Sequence, residues 1–135
     1  MTMAAVQKAV YDRLNTHPGL AGVGVYDYVP QDPRSEAESF KFPYLVIGED
    51  LVVNWDTDAE TGFEYTLTIH VWSRHKGALE TKQIMDEARI ALNRTQLDVL
   101  GLNVLFIDCE SMSVAQRDDT TYHGMMEFRL LAEEL

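Results

Sequence analysis

Cysteine is nearly absent. Cys109 stands alone among 135 residues, which rules out an intrachain disulfide and any zinc site built on cysteines. It closes the apolar-rich run Val104 to Cys109, where a buried core thiol is expected rather than a reactive nucleophile. Long hydrophobic runs are missing as well. Stretches such as Tyr44-Leu45-Val46-Ile47 are far too short to span a bilayer. The start, Met1 to Val6, passes directly into polar helix formers and lacks the apolar segment of a signal peptide, so synthesis and folding in a host cytoplasm are expected. Positive charge is scarce: 11 Lys and Arg stand against 22 Asp and Glu, a net charge of -11. A nucleic-acid binder needs a cationic surface to displace counterions from phosphates, so direct, tight DNA binding is not expected. Docking on anionic lipid is disfavoured for the same reason. A negative wall that repels passing DNA without holding it is compatible with this charge.

What is present is an ordinary folding sequence. With 46% hydrophobic and 24% charged residues in one domain's length, the chain buries a proper core. Val6, Val10 and Leu14 recur at helical spacing, with Met3 and Ala9 widening the stripe, and predict a helix over 3–16 that His17-Pro18-Gly19 ends. Strands are predicted over 23–29 and from Tyr44 to about Val53, separated by a proline-broken, polar stretch. The clearest strand follows residue 62: Phe63, Tyr65, Leu67, Ile69 and Val71 share one face, and Glu64, Thr66, Thr68 and His70 the other. A second helix is predicted over 78–94 on Ile84, Met85, Ala88, Ala91 and Leu92, then strands over about 102–116 and 121–132 joined by Arg117 to Thr120. The order α-β-β-β-α-β-β, with strands clustered on either side of one helix, predicts a single α+β domain over 1–135. Its two helices pack on a mostly antiparallel sheet.

Chemistry finds no foothold in the spacing. No two of His17, His70, His75 and His123 stand at i, i+3 or i, i+4, so no helix presents a metal-ligand pair. Asp56, Asp58 and Glu60 imitate the start of a calcium loop, but Thr61 and Leu67 stand where glycine and a bidentate glutamate are required. No nucleophile elbow, phosphate loop or dinucleotide fingerprint occurs. Catalytic residues, cofactors and metals are therefore expected to be none. Trp55, a large aromatic among charges, reads as an interface anchor.

Five segments in order carry a family resemblance: Gln7–Leu14, Val25–Gln31, Phe42–Gly48, Thr66–Ser73, and Tyr122–Gly124 with Phe128-Arg129. Together they resemble the tail-completion, or tail-terminator, proteins of long-tailed (siphovirus-type) bacteriophages and gene-transfer particles. The resemblance implies two helices against a β-sheet with extended hairpins. It also implies a homo-hexameric ring on the last ring of tail-tube subunits, at the head-proximal end of the virion tail. Such a ring ends tube polymerisation and offers a surface to the head–tail connector, or stopper, protein, with DNA only as passing cargo and no membrane partner. The loop from Arg34 to Lys41 is longer and more charged than the family pattern. The 50–62 connection (Trp55, Asp56, Asp58, Glu60) and the 117–121 turn (Arg117, Asp118, Asp119) are the candidate contacts with tube or connector. Two other readings compete: a head-closure or connector component of the same particle, and a small cytosolic enzyme using His70, His123 and a nearby carboxylate.

Overall fold

The computed structural model describes residues 2–28, 42–56 and 61–135. Helix α1 (Thr2–Thr16) leads through a 3-10 turn (Pro18–Leu20) to strand β1 (Gly24–Tyr26). Strands β2 (Tyr44–Asn54) and β3 (Gly62–Ser73), helix α2 (Leu79–Leu92), and strands β4 (Leu102–Gln116) and β5 (Tyr122–Glu134) complete the chain. The predicted order and fold class are those observed.

The strands form one sheet in the order β1-β2-β3-β5-β4. Its spine is β3 against β5, antiparallel from Gly62 opposite Glu133 to Ser73 opposite Tyr122. Strand alternation then decides the layers. Tyr65, Leu67, Ile69 and Val71 of β3 and Met126, Phe128, Leu130 and Ala132 of β5 turn to one face and are buried. Val6, Val10 and Leu14 of α1 and Ile84, Met85, Ala88, Ala91 and Leu92 of α2 cover that face in the same core. Gly124 lets α2 approach closely, since a Cβ there would stand 2.5 Å from Met85 Sδ and 3.1 Å from Thr81 Cγ2. Within the described residues no helix covers the other face, although Tyr44, Val46, Thr68 and His123 are buried on it.

Strand β2 carries a bulge that splits two acids between the layers. Gly48 lies opposite Thr68 and Leu51 opposite Thr66, so Glu49 and Asp50 together face the single residue Leu67. Glu49 adopts φ 62, the left-handed region that side chains rarely enter. Asp50 Oδ2 accepts the Tyr65 hydroxyl at 2.5 Å from the core side, while Glu49 reaches the uncovered face. Burial first, then the Asp50 contact, holds the Tyr65 hydroxyl well above its ordinary pKa.

Four expectations are corrected. The strand predicted over 23–29 is only Gly24–Tyr26, because the chain bends at Asp27 and Tyr28; Val29 lies outside the described residues, as does the Arg34–Lys41 loop. It pairs parallel to β2. Cys109 is half-buried, not buried, because β4 is an edge strand with only the end of α2 beside it; burial still pushes the thiol pKa up. Phe63 is half-buried where the ladder ends, and Met3 is 48% exposed where α1 overhangs the sheet.

Side chains tie α1 to α2, and His17 Nε2 just after α1 meets Glu87 Oε1 of α2 at 2.9 Å. Arg13 of α1 donates Nη1 to the Ala91 carbonyl (3.1 Å) and Nη2 to the Gln96 carbonyl (2.6 Å). It thereby satisfies acceptors at and beyond the end of α2, where a cation also meets the negative end of the helix dipole. Arg13→Ala is expected to cost about 1–2 kcal/mol in urea unfolding. Arg13→Lys should recover less than half, since an ammonium cannot fork to both carbonyls; an unchanged midpoint would contradict this pin.

Candidate assembly interface

The uncovered face of the sheet is built by the residues that alternate with the core. Along β2 it shows Leu51 and Val53, 61% and 50% exposed, and along β5 Met125, 43% exposed. Half-buried Phe106, Leu131 and Trp72 lie on the same face. Glu64, Thr66, Glu127 and Arg129 share the face, so it is a mixed surface on which the exposed Leu51, Val53 and Met125 are the apolar contact positions.

At the end of this face near the β4–β5 turn, the register gathers a polar chain. His123 lies opposite Trp72, one step along the ladder from His70 opposite Met125. His70 Nδ1 meets His123 Nε2 at 2.7 Å, His70 Nε2 meets Glu49 Oε1 at 2.5 Å, and Arg117 Nη2 meets His123 Nδ1 at 2.7 Å. Trp72 stacks on the His123 ring at 4.0 Å and 6°. The proton pattern follows from the two ends. Arg117 only donates, so His123 Nδ1 accepts and Nε2–H donates to His70 Nδ1; His70 Nε2–H then donates to the Glu49 carboxylate. The chain therefore runs in one direction with both rings neutral.

The juxtaposition of His70, His123 and a carboxylate is the one an enzyme reading requires. All four ring nitrogens are nevertheless committed within the chain, leaving no lone pair for a metal or a substrate proton. Among the described residues, no group of three or more His, Cys, Asp or Glu is placed to hold a metal. The cluster acts as a clamp between β2, β3 and the β4–β5 turn.

The sequence-predicted contact residues fall at the two ends of the β3–β5 ladder. Trp55 is 44% exposed, its N–H donates to the Gly62 carbonyl at 2.7 Å, and its ring lies against Gly62, where a Cβ would stand 2.4 Å from Trp55 Cε3. Asp56 is exposed beside it, and Asp58 and Glu60 lie outside the described residues. At the opposite end, Arg117 is engaged by His123. Asp118 Oδ1 accepts the Thr120 and Thr121 N–H groups at 2.9 and 2.8 Å, which holds its carboxyl below the usual range. Asp118 thus shapes the turn, and Asp119 is free on the surface. Sequence reasoning missed Glu49 and Arg117 as partners of the histidines, because only the bulge and the ladder register bring them there.

The sequence profile of the family described as tail completion protein gp17 matches residues 8–133. The chain belongs to the tail completion protein gp17 family. It is a structural part of a virion tail. Among solved structures, a chain in the virion of a native gene transfer agent (GTA) particle superposes with a TM-score of 0.81 at 20% identity, covering 96% of each chain. The bacteriophage SPP1 gp17 protein superposes at 0.56 with 25% identity, over 94% of this chain and 88% of that one. No curated protein sequence matches the chain.

In this tail-completion chain the histidine clamp sets a pH dependence. Burial first, then the unfavourable neighbours His70 and the Arg117 guanidinium, lowers the His123 pKa from 6.5 to about 4. Above 6.5 folded and unfolded chains both hold the ring neutral. Between 6.5 and about 4 only the unfolded chain takes up the proton, so stability falls as pH drops through that window. Roughly 2 kcal/mol of stability is expected to be lost between pH 7 and 4, allowing for solvent at the cluster's rim. His123→Gln should remove most of that slope in urea titrations, and an unaltered slope would contradict the clamp.

Proposed function

We propose that six copies of the chain close into a ring on the head-proximal end of the tail tube. The ring ends tube polymerisation and offers its other side to the head–tail connector protein. The family and the tail role support this reading, and one structural observation carries it: among the described residues helices cover a single face of the sheet, and Leu51, Val53 and Met125 stand exposed on the opposite one. A domain built this way completes its packing against other proteins. The positions of the two candidate contact regions add to this. Trp55 and Asp56 stand at one end of the strands and Arg117 to Asp119 at the other, as a piece held between a tube and a connector requires. The subunit contact is heterologous, because a ring closes only when one surface meets a different one on the next copy. The net charge of -11 gives the ring's bore a wall to which passing DNA does not adhere.

Adding purified chain to growing tail-tube subunits tests the capping role. Elongation should stop, with the chain bound at one tube end. Unchanged elongation together with binding to the isolated connector would overturn capping in favour of the head-closure reading. Reversing Asp56, Asp58 and Glu60 to lysine is expected to slow DNA ejection in particles that still assemble. Normal assembly and normal ejection would remove these positions from the contact and channel surfaces.

A further inference from the structure

The sheet ends on two edges, and each is closed for only part of its length. Beside β4, the loop after α2 closes the first half: Arg94 N–H donates to the Ile107 carbonyl at 2.7 Å, and Cys109 N–H donates to Asn93 Oδ1 at 2.7 Å. Bulges between Val104 and Phe106 and between Cys109 and Ser111 bend the same stretch. Both protections stop at Ser111. Beyond it, among the described residues, no backbone hydrogen bond reaches the outer side of Ser111–Gln116. On the other edge, β1 covers β2 only from Tyr44 to Val46, which leaves Leu51–Asn54 uncovered among the described residues.

Alternation identifies the outward peptide groups. Arg117 N–H points inward to the Thr121 carbonyl and Cys109 N–H points outward, so with the bulge between them Met112, Val114 and Gln116 face outward. Trp55 N–H points inward to Gly62, so Asn54 and Val52 face outward on β2. Exposed edges are normally blunted with lysine, proline or inward charge. Ser-Met-Ser-Val-Ala-Gln and Leu-Val-Val-Asn contain none of these. On a chain of net charge -11, two uncharged strips are where two copies approach without repulsion.

We propose that Ser111–Gln116 of one copy pairs antiparallel with Leu51–Asn54 of the next, with Met112 opposite Asn54, Ser113 opposite Val53 and Val114 opposite Val52. The proposal rests on the ring reading above and names its contact. Strands β2 and β4 run in opposite directions within the sheet, so this pairing continues it as an antiparallel ladder. It matches outward peptide groups with outward ones. It also keeps Ser113 and Val53 on the open face, and Val114 and Val52 on the helix side where both pack against the core.

The offset between the two strips also suits closure. Ser113 is level with His70 through Met125, and Val53 is level with Glu64. From Glu64 to His70 is about 20 Å along the strand at ~3.3 Å per residue. Four strands side by side span ~19 Å at ~4.8 Å each. Each copy therefore steps along the strands about as far as it steps across them, a tilt of ~45° at the upper end of what closed sheets adopt. Pairing β4 with β4 instead would be two-fold and would stop at a dimer.

Particles carrying Val53→Cys with Ser113→Cys, in a Cys109→Ser background, test the register by mild oxidation and non-reducing electrophoresis. These positions form a non-hydrogen-bonded pair, whose Cα separation of about 4.5 Å lies within disulfide reach. A ladder of covalent oligomers from the double variant, and monomer from each single variant, is the expected result. Dimers from Ser113→Cys alone would overturn head-to-tail pairing. No cross-link in particles whose six-fold ring is visible by electron microscopy would overturn the edge contact and leave the ring; no ring would overturn the ring itself. Val114→Pro removes one outward N–H without touching the β5 ladder, so it should keep the wild-type circular dichroism spectrum while failing to enter particles. Normal entry of that variant would also overturn the edge contact.

Discussion

Among the described residues the sheet has helices on only one of its faces, and the rest of the molecule follows from that asymmetry. Two helices of 15 and 14 residues suffice to bury one side of five strands and no more. Apolar positions that alternate with the core therefore stay at the surface as Leu51, Val53 and Met125. Burying exposed apolar area contributes on the order of 25 cal/mol per Å², so the same face that limits the monomer favours association.

Ordering that face, which no helix covers among the described residues, takes local devices. The β2 bulge sends Asp50 into the core to meet Tyr65 and Glu49 outward to meet His70. From Glu49 a single run of hydrogen bonds crosses β3 and β5 to Arg117 at the hairpin turn. This run ties together three strands that, among the described residues, have no helix above them on that side. The residues an enzyme reading would recruit are thus committed to holding a surface in shape, in keeping with a structural part of a tail.

Much of this architecture was legible in residue periodicity. The 3.6 repeat of Val6, Val10 and Leu14 and the alternation of Tyr65 to Val71 place the core face directly, and β4 runs over 102–116 as predicted. Pairing direction and register are another matter, because alternation within a strand carries no information about its neighbour. The parallel edge of β1, the bulge at Glu49 and the diagonal meeting of His70 with His123 all depend on register. Cys109 shows the same limit: its run is apolar, but an edge strand buries only what a neighbour covers. Trp55 and the 117–121 turn were recognisable as exposed features, whereas the inward roles of Arg117 and Asp118 were not.

The central claim is that one copy of this chain is completed by its neighbours in a closed ring at the tail's end. Cryo-electron microscopy of the intact particle, resolved to strand separation, tests it most directly. The account predicts six copies at the head-proximal end of the tube, their sheets joined side to side into one tilted surface. A different site in the particle, or copies touching only through their helices, would contradict it.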